Sequence, residues 1–245
     1  MMQCACKHTL AAVLTLTLLL TGCVKLKQAL TLMPDGSGKM QMTFALNAQL
    51  VDLAKQNKED PFKEVVPQAM KGKAQGVVAF SEPEREEHDG FSYLTYTMYF
   101  RDINKVRIAD LGEGRPARYI YTREGEGATL TLTGGPILSI IPEHQPTPQE
   151  EREQTRATMT GLSFSQTFAL PGEISPIKGV RVEKNKAELL LTLEDYLAGT
   201  GPISDLKDVK SLKFELAQVK AEDAAVAAFK KELEEAVAAW EATQN

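Results

Sequence analysis

Cysteine is scarce in this chain of 245 residues: three are present, at positions 4, 6 and 23. Nothing beyond Cys23 can form a disulfide, so the core must supply the stability, and the chain is long enough to build one. Histidine is equally thin, and His88 and His144 each stand alone in polar stretches. No HExxH, GxSxG, GxxxxGK[ST] or GxGxxG spacing occurs, so zinc, hydrolase-triad and phosphate-loop chemistries lack their residues. Asp35-Gly36-Ser37-Gly38-Lys39 is glycine-rich but reads as a hairpin turn. Glu82 to Asp89 reads as a solvated charged loop. The expectation is a protein that is not an enzyme, with no cofactor and no metal. An excess of basic residues is missing too. With net charge −5 and a pI near 5.4, nucleic acid is excluded as a main partner. There is no repeat of fixed period.

What is there begins with the one long apolar run, residues 9–22, TLAAVLTLTLLLTG. It is too short for a helix that spans the bilayer, which takes about 20 residues. It follows a short front end carrying Lys7, the layout of a secretory signal peptide. The run ends in Leu20-Thr21-Gly22-Cys23, which resembles the bacterial lipobox. That resemblance implies a diacylglyceryl thioether on Cys23, cleavage between Gly22 and Cys23, and an acylated (palmitate-type) anchor. Residues 1–22 are then the signal and 23–245 the mature chain. The expected address is exported and lipid-anchored, facing the periplasm or cell surface. Val24 is not the aspartate that typically retains lipoproteins at an inner membrane, which favours the outer one where a cell has two.

Beyond the anchor, apolar residues alternate. Leu26, Leu30 and Leu32 predict a strand, Pro34-Asp35-Gly36-Ser37-Gly38 a turn, and Met40, Met42, Phe44 and Leu46 the return, with 32 opposite 40 and 30 opposite 42. Asn47 should cap a short helix through Gln56. Asp60-Pro61 should start a second helix that Pro67 kinks. Strands are expected at 77–80 and 91–100, and a hairpin at 118–133 pairs Tyr121 with Leu130 and Tyr119 with Leu132. Thr147-Pro148-Gln149-Glu150 reads as a capping box before a polar helix through Met159. Strands recur from 162 to 216. Val226, Phe229, Leu233, Val237 and Trp240 form a helical stripe that should pack on the sheet. The predicted fold class is therefore α+β: mostly antiparallel sheet built from hairpins, short helices and a long amphipathic C-terminal helix. A single domain over 23–245 is expected, with a subdomain hinge near 134–160 as the alternative.

Three stretches together resemble the LppM-like bacterial lipoproteins. They are the lipobox Cys23 with its following strand and Leu32-Met33-Pro34-Asp35-Gly36-Ser37-Gly38; the middle alternating region; and Phe168-Ala169-Leu170-Pro171-Gly172-Glu173 with Gly179-Val180-Arg181-Val182 and Ala187-Glu188-Leu189-Leu190-Leu191. The resemblance implies an envelope domain of mixed α/β fold, likened to lipid binders in which a curved sheet wraps a long helix. It implies a non-enzymatic envelope lipoprotein whose partners are the membrane, through the acyl anchor on Cys23, and a lipid or other apolar ligand. The alternative is a protein–protein interaction or scaffold module of an envelope complex. The proline-rich segment 134–148 carries Ile137, Leu138, Ile140 and Ile141. These either fold back as a core plug, the favoured expectation, or form an apolar contact loop.

Overall fold

The computed structural model describes residues 24–109, 115–141, 144–159, 161–220 and 223–244. β1 (Val24–Leu32) turns into β2 (Gly38–Asn47) over Met33–Ser37. Asp35 accepts from the Ser37 amide at 3.1 Å, and the Gly36 amide donates to the Met33 carbonyl at 3.0 Å. Gly36 has φ +83°, in the left-handed region that favours glycine.

The first sheet has eight strands. Its order is β12 (Arg181–Glu183), β13 (Lys186–Thr192), β10 (Ser163–Ala169), β1, β2, β6 (Phe91–Phe100) and β4 (Ala79–Phe80), with β5 (Glu84–His88) also paired to β6. The second has six: β11 (Glu173–Ile174), β14 (Ser211–Ala217), β9 (Gly127–Thr133), β8 (Ala117–Glu124), β7 (Arg107–Ile108) and β3 (Ala74–Gln75). Period-two alternation gives each sheet one apolar face. Leu30, Met40, Leu94, Met98, Phe100, Phe168 and Leu189 of the first and Tyr119, Leu130, Leu132 and Phe214 of the second are buried in one core. Phe168 meets Phe214 across it, with ring centroids 4.5 Å apart.

Helices close the margins. α1 (Ala48–Gln56) starts at Asn47, whose side chain accepts from the Gln49 amide, and buries Val51. α2 (Pro67–Met70) and α3 (Gly135–Ile140) are short. α4 (Arg152–Thr158) is the polar helix. α5 (Leu193–Ala198) opens on a Thr192/Asp195 capping box, and α6 (Pro202–Leu206) follows. α7 (Asp223–Ala242) lies against β4 and β6 at the edge of the first sheet. It buries Phe229, Leu233 and Trp240, as its stripe predicts. The fold is α+β.

Several local expectations are corrected. The first hairpin pairs Leu30 with Met40 and Leu32 with Gly38, two residues from the predicted register, because its turn is tighter. A slip of two preserves facing, so the apolar faces still coincide. Glu84–His88 is an edge strand and not part of a solvated loop; every one of its residues is exposed, which erases the alternation. Pro67 begins α2 instead of kinking a longer helix, as its missing N–H allows. The strand expected at 77–80 shrinks to Ala79–Phe80. Pro148, not Thr147, precedes the polar helical segment, and no side chain caps it. β1 and β10 are parallel, Lys25 opposite Ser163 through Thr31 opposite Ala169, where hairpins alone would give antiparallel pairs.

Candidate functional site

The sequence-predicted site residues fall in different places. Gly22 and Cys23 lie outside the described residues, and β1 begins at the next position. Segment 135–140 is the helix α3 and not a loop. Leu138 and Ile141 are buried in the core and so form the plug; the side chains of Ile137 and Ile140 lie outside the described residues. His88 is exposed, stacks on Tyr93 and contacts Asp89 at 3.1 Å. His144 packs its ring 4.3 Å from that of Tyr196, and its Nε2 is buried without a hydrogen-bond partner. Among the described residues, no group of three or more His, Cys, Asp or Glu is placed to hold a metal ion.

Between the sheets, a polar seam interrupts the core. Gln166 donates to the Gln28 side-chain carbonyl at 2.9 Å, and Gln28 donates to the Tyr119 hydroxyl at 3.2 Å. Burial pushes the Tyr119 hydroxyl far up from its usual range, so it stays protonated. Beside this seam only about 10 Å³ is empty, bordered by Ala117, Leu132 and Phe164. That is room for one water and no ligand. The long helix contacts the β4–β6 edge of the first sheet.

The roomy concavity is elsewhere, under α7. The edge strand of the first sheet is broken there. The Val78 amide donates to the Tyr99 carbonyl at 2.8 Å and the Ser81 amide to the Thr97 carbonyl at 2.8 Å. Glu82-Pro83 then interrupts the pairing before β5 resumes it. α7 crosses this gap and leaves a groove of about 590 Å³. Its lining joins an apolar side, Phe80, Pro83, Ala236, Ala239 and Trp240, to a polar one, Gln68, Ser81, Tyr99 and Thr243 with the carboxylates of Glu82, Glu232 and Glu235. Trp240 and Phe80 meet at 5.1 Å between centroids. Phe80 in turn lies 6.2 Å from Tyr96, which stacks on Phe44. The groove floor is thus the outer end of an aromatic chain that runs into the core.

Charged contacts hold the helix over it. Glu232 accepts from Lys39 at 2.6 Å and from the Tyr99 hydroxyl at 3.2 Å. Arg101 pairs with Glu234 at 2.8 Å and Lys230 with Asp35 at 3.2 Å. Burial, and then Glu232, push the Tyr99 hydroxyl up to about 12, so it is a hydrogen-bond donor and not a base. For Asp35, burial works upward, but the Ser37 side chain and amide and then Lys230 outweigh it and hold the carboxyl below its usual range. These pairs are half-exposed, each worth about 0–1 kcal/mol, so they position α7 more than they stabilise it.

Sequence reasoning assigned Trp240 to a packing stripe and Phe80 to a strand, without joining them. The signals were present: the chain's single tryptophan, on a turn with small Ala236 and Ala239, and a proline that breaks an edge strand.

Among solved structures, the chain is similar to the NMR structure of the folded domain of the Mycobacterium tuberculosis LppM protein. The identity is 14% and the TM-score 0.37, over 82% of this chain and 92% of that one. No family model matches the chain, and no curated protein matches it.

Proposed function

We propose that the chain is an envelope lipoprotein, anchored through acylated Cys23, that acts without catalysis by holding an apolar ligand in the groove under α7. The observation that carries the binding role is the groove's build: about 590 Å³ with a Phe80/Trp240 floor. Small-molecule sites span roughly 300–1,000 Å³ and are lined mainly by apolar and aromatic groups. The anchor rests on the signal run and the Leu20-Thr21-Gly22-Cys23 motif. An outer-membrane address, facing the periplasm or cell surface, fits Val24.

Trp240 is the only tryptophan, so emission excited beyond the absorbance of the six tyrosines reads this groove alone. Titrating a neutral monoacylglycerol below its aggregation limit should shift Trp240 emission saturably, and Ala239→Arg should abolish the shift while leaving melting intact. No saturable shift would refute the ligand role. If instead Ala239→Arg removes capture of an envelope protein and the monoacylglycerol does nothing, the scaffold alternative holds. Cys23→Ser should leave an unprocessed precursor or a soluble chain; a processed chain still in the membrane would refute the anchor.

A further inference from the structure

The start of β1 determines which part of this domain is next to the anchor. Cys23 adjoins Val24, so its Cα lies about 3.8 Å from the first residue of the strand. No linker intervenes. Whatever holds Cys23 therefore meets the end of the first sheet at which β1 starts. The strand register defines that end: Val24 lies opposite Leu46, Asn47 opposite Phe91, and Ser163, beside Lys25, opposite Thr192.

α1 leaves β2 at this same end. Its Ala48 amide donates to the Gly90 carbonyl at 2.9 Å, and Lys55 pairs with Glu87 at 3.2 Å, so the helix is fixed beside the β5–β6 turn. Val51 on its inner side is buried, whereas Leu53 is 56% exposed, more than any other large apolar side chain among the described residues. Lys25 places its ammonium 3.8 Å from the centre of the Phe91 ring, and Lys58 is exposed just past the helix. One exposed leucine alone needs no explanation. An exposed leucine at the end where an acyl anchor leaves without a linker fits the interface of a bilayer, with the apolar side chain inward; the charges around it are mixed, since Asp52 and Glu87 pair with Lys55 and Asp89 is exposed at the turn.

We infer that this sheet end is the membrane-docking face of the protein, with α1 against the bilayer, Leu53 entering it, and the turn at His88–Phe91 beside it. This rests on the proposed acylation of Cys23. The opposite end of β1 then stands about 30 Å from the anchor, at roughly 3.3 Å per residue.

The chain offers a direct test. After processing, the Cys23 sulfur is a thioether and no other cysteine remains, so one introduced thiol carries one fluorophore. The full lipidated protein with Leu53→Cys, Ile120→Cys or Lys231→Cys is reconstituted into phosphatidylethanolamine/phosphatidylglycerol vesicles doped with a shallow nitroxide lipid. All three positions are exposed, so melting should match the parent. The probe at 53 should be quenched several-fold more than those at 120 and 231, with a blue-shifted emission. If the protein floats with the vesicles but position 53 is quenched no more than 231, the docking face is wrong and the anchor stands. If the protein does not float, the acylation reading fails and takes the docking face with it.

Discussion

Two glycines of the first hairpin, Gly36 in the turn and Gly38 at the start of β2, should fail for different reasons when a methyl group is added. Gly36 has φ +83°, yet a Cβ there would sit 3.6 Å from Tyr121 Cδ1, an ordinary contact. Space is available, so Gly36→Ala isolates the backbone cost, about 1–2 kcal/mol for an L-residue in the left-handed region. For a chain of this size each kcal/mol moves Tm by roughly 2–4 °C, so a fall of about 2–8 °C is expected. Gly36→Asn should recover part of it, because asparagine tolerates that region, and Gly36→Val should be worse than alanine. The carbonyl of Gly36 also accepts from the Ile103 amide at 2.9 Å, so the turn cannot relax without breaking a tie to the next loop. Gly38 differs. Its Cβ would collide with the Thr31 carbonyl oxygen and lie 2.8 Å from the Phe100 ring, both in fixed structure. Gly38→Ala should cost about 1–3 kcal/mol or more through overpacking, and asparagine should bring no rescue there. Calorimetric melting of the mature chain carrying Cys23→Ser reads all five variants. If Gly36→Ala melts with the parent, or Gly36→Asn is no better than alanine, the conformational account is refuted.

The plug is tested by charge. Ile141 is fully buried, so Ile141→Ala should lose about 2–5 kcal/mol, and Ile141→Asp and Leu138→Asp more, because a carboxylate finds no partner there; unchanged melting in chemical denaturant would sink this reading. Alkaline pH tests the buried tyrosines. Tyr96 and Tyr119 are pushed up by burial, and Tyr99 is raised from 10.0 to about 12 by burial and then Glu232. The unfolded chain releases these protons first, so stability should be unaffected below pH 10 and fall as pH rises towards 12. Part of the tyrosinate absorbance should appear only with loss of structure; complete titration of all six tyrosines near pH 10 in a protein that stays folded would contradict it.

The strands and the C-terminal helix were legible because each buries one face only. Leu26/Leu30/Leu32 and Phe229/Leu233/Trp240 write their periods directly into the sequence. Register was less legible, since moving Met40 from Leu32 to Leu30 leaves every side chain on the same face. Glu84–His88 carried no strand signal because neither of its faces is covered. The Thr192/Asp195 capping box marks α5 as plainly as any helix start in the chain, yet the apolar run Leu189–Leu193 masks it. The parallel pairing of β1 with β10 joins segments too far apart for any local pattern to announce. The groove escaped for the same reason. Phe80 and Trp240 lie 160 positions apart in the chain, and only the assembled edge brings them together beside Pro83.

That parallel pairing also has a mechanical side. β1 is hydrogen-bonded on both flanks, to β10 and to β2, and the proposed anchor is attached at its first residue. A pull on the anchor runs along the strand and across its lateral bonds. Both ladders are thus loaded in shear, with many bonds sharing the force, instead of opening one bond at a time as a peeled edge strand would. The same placement orders assembly in time. The first strand to emerge cannot complete its sheet until residues 163–169 have followed it, so the domain gains its mechanical strength only after most of the chain has been made.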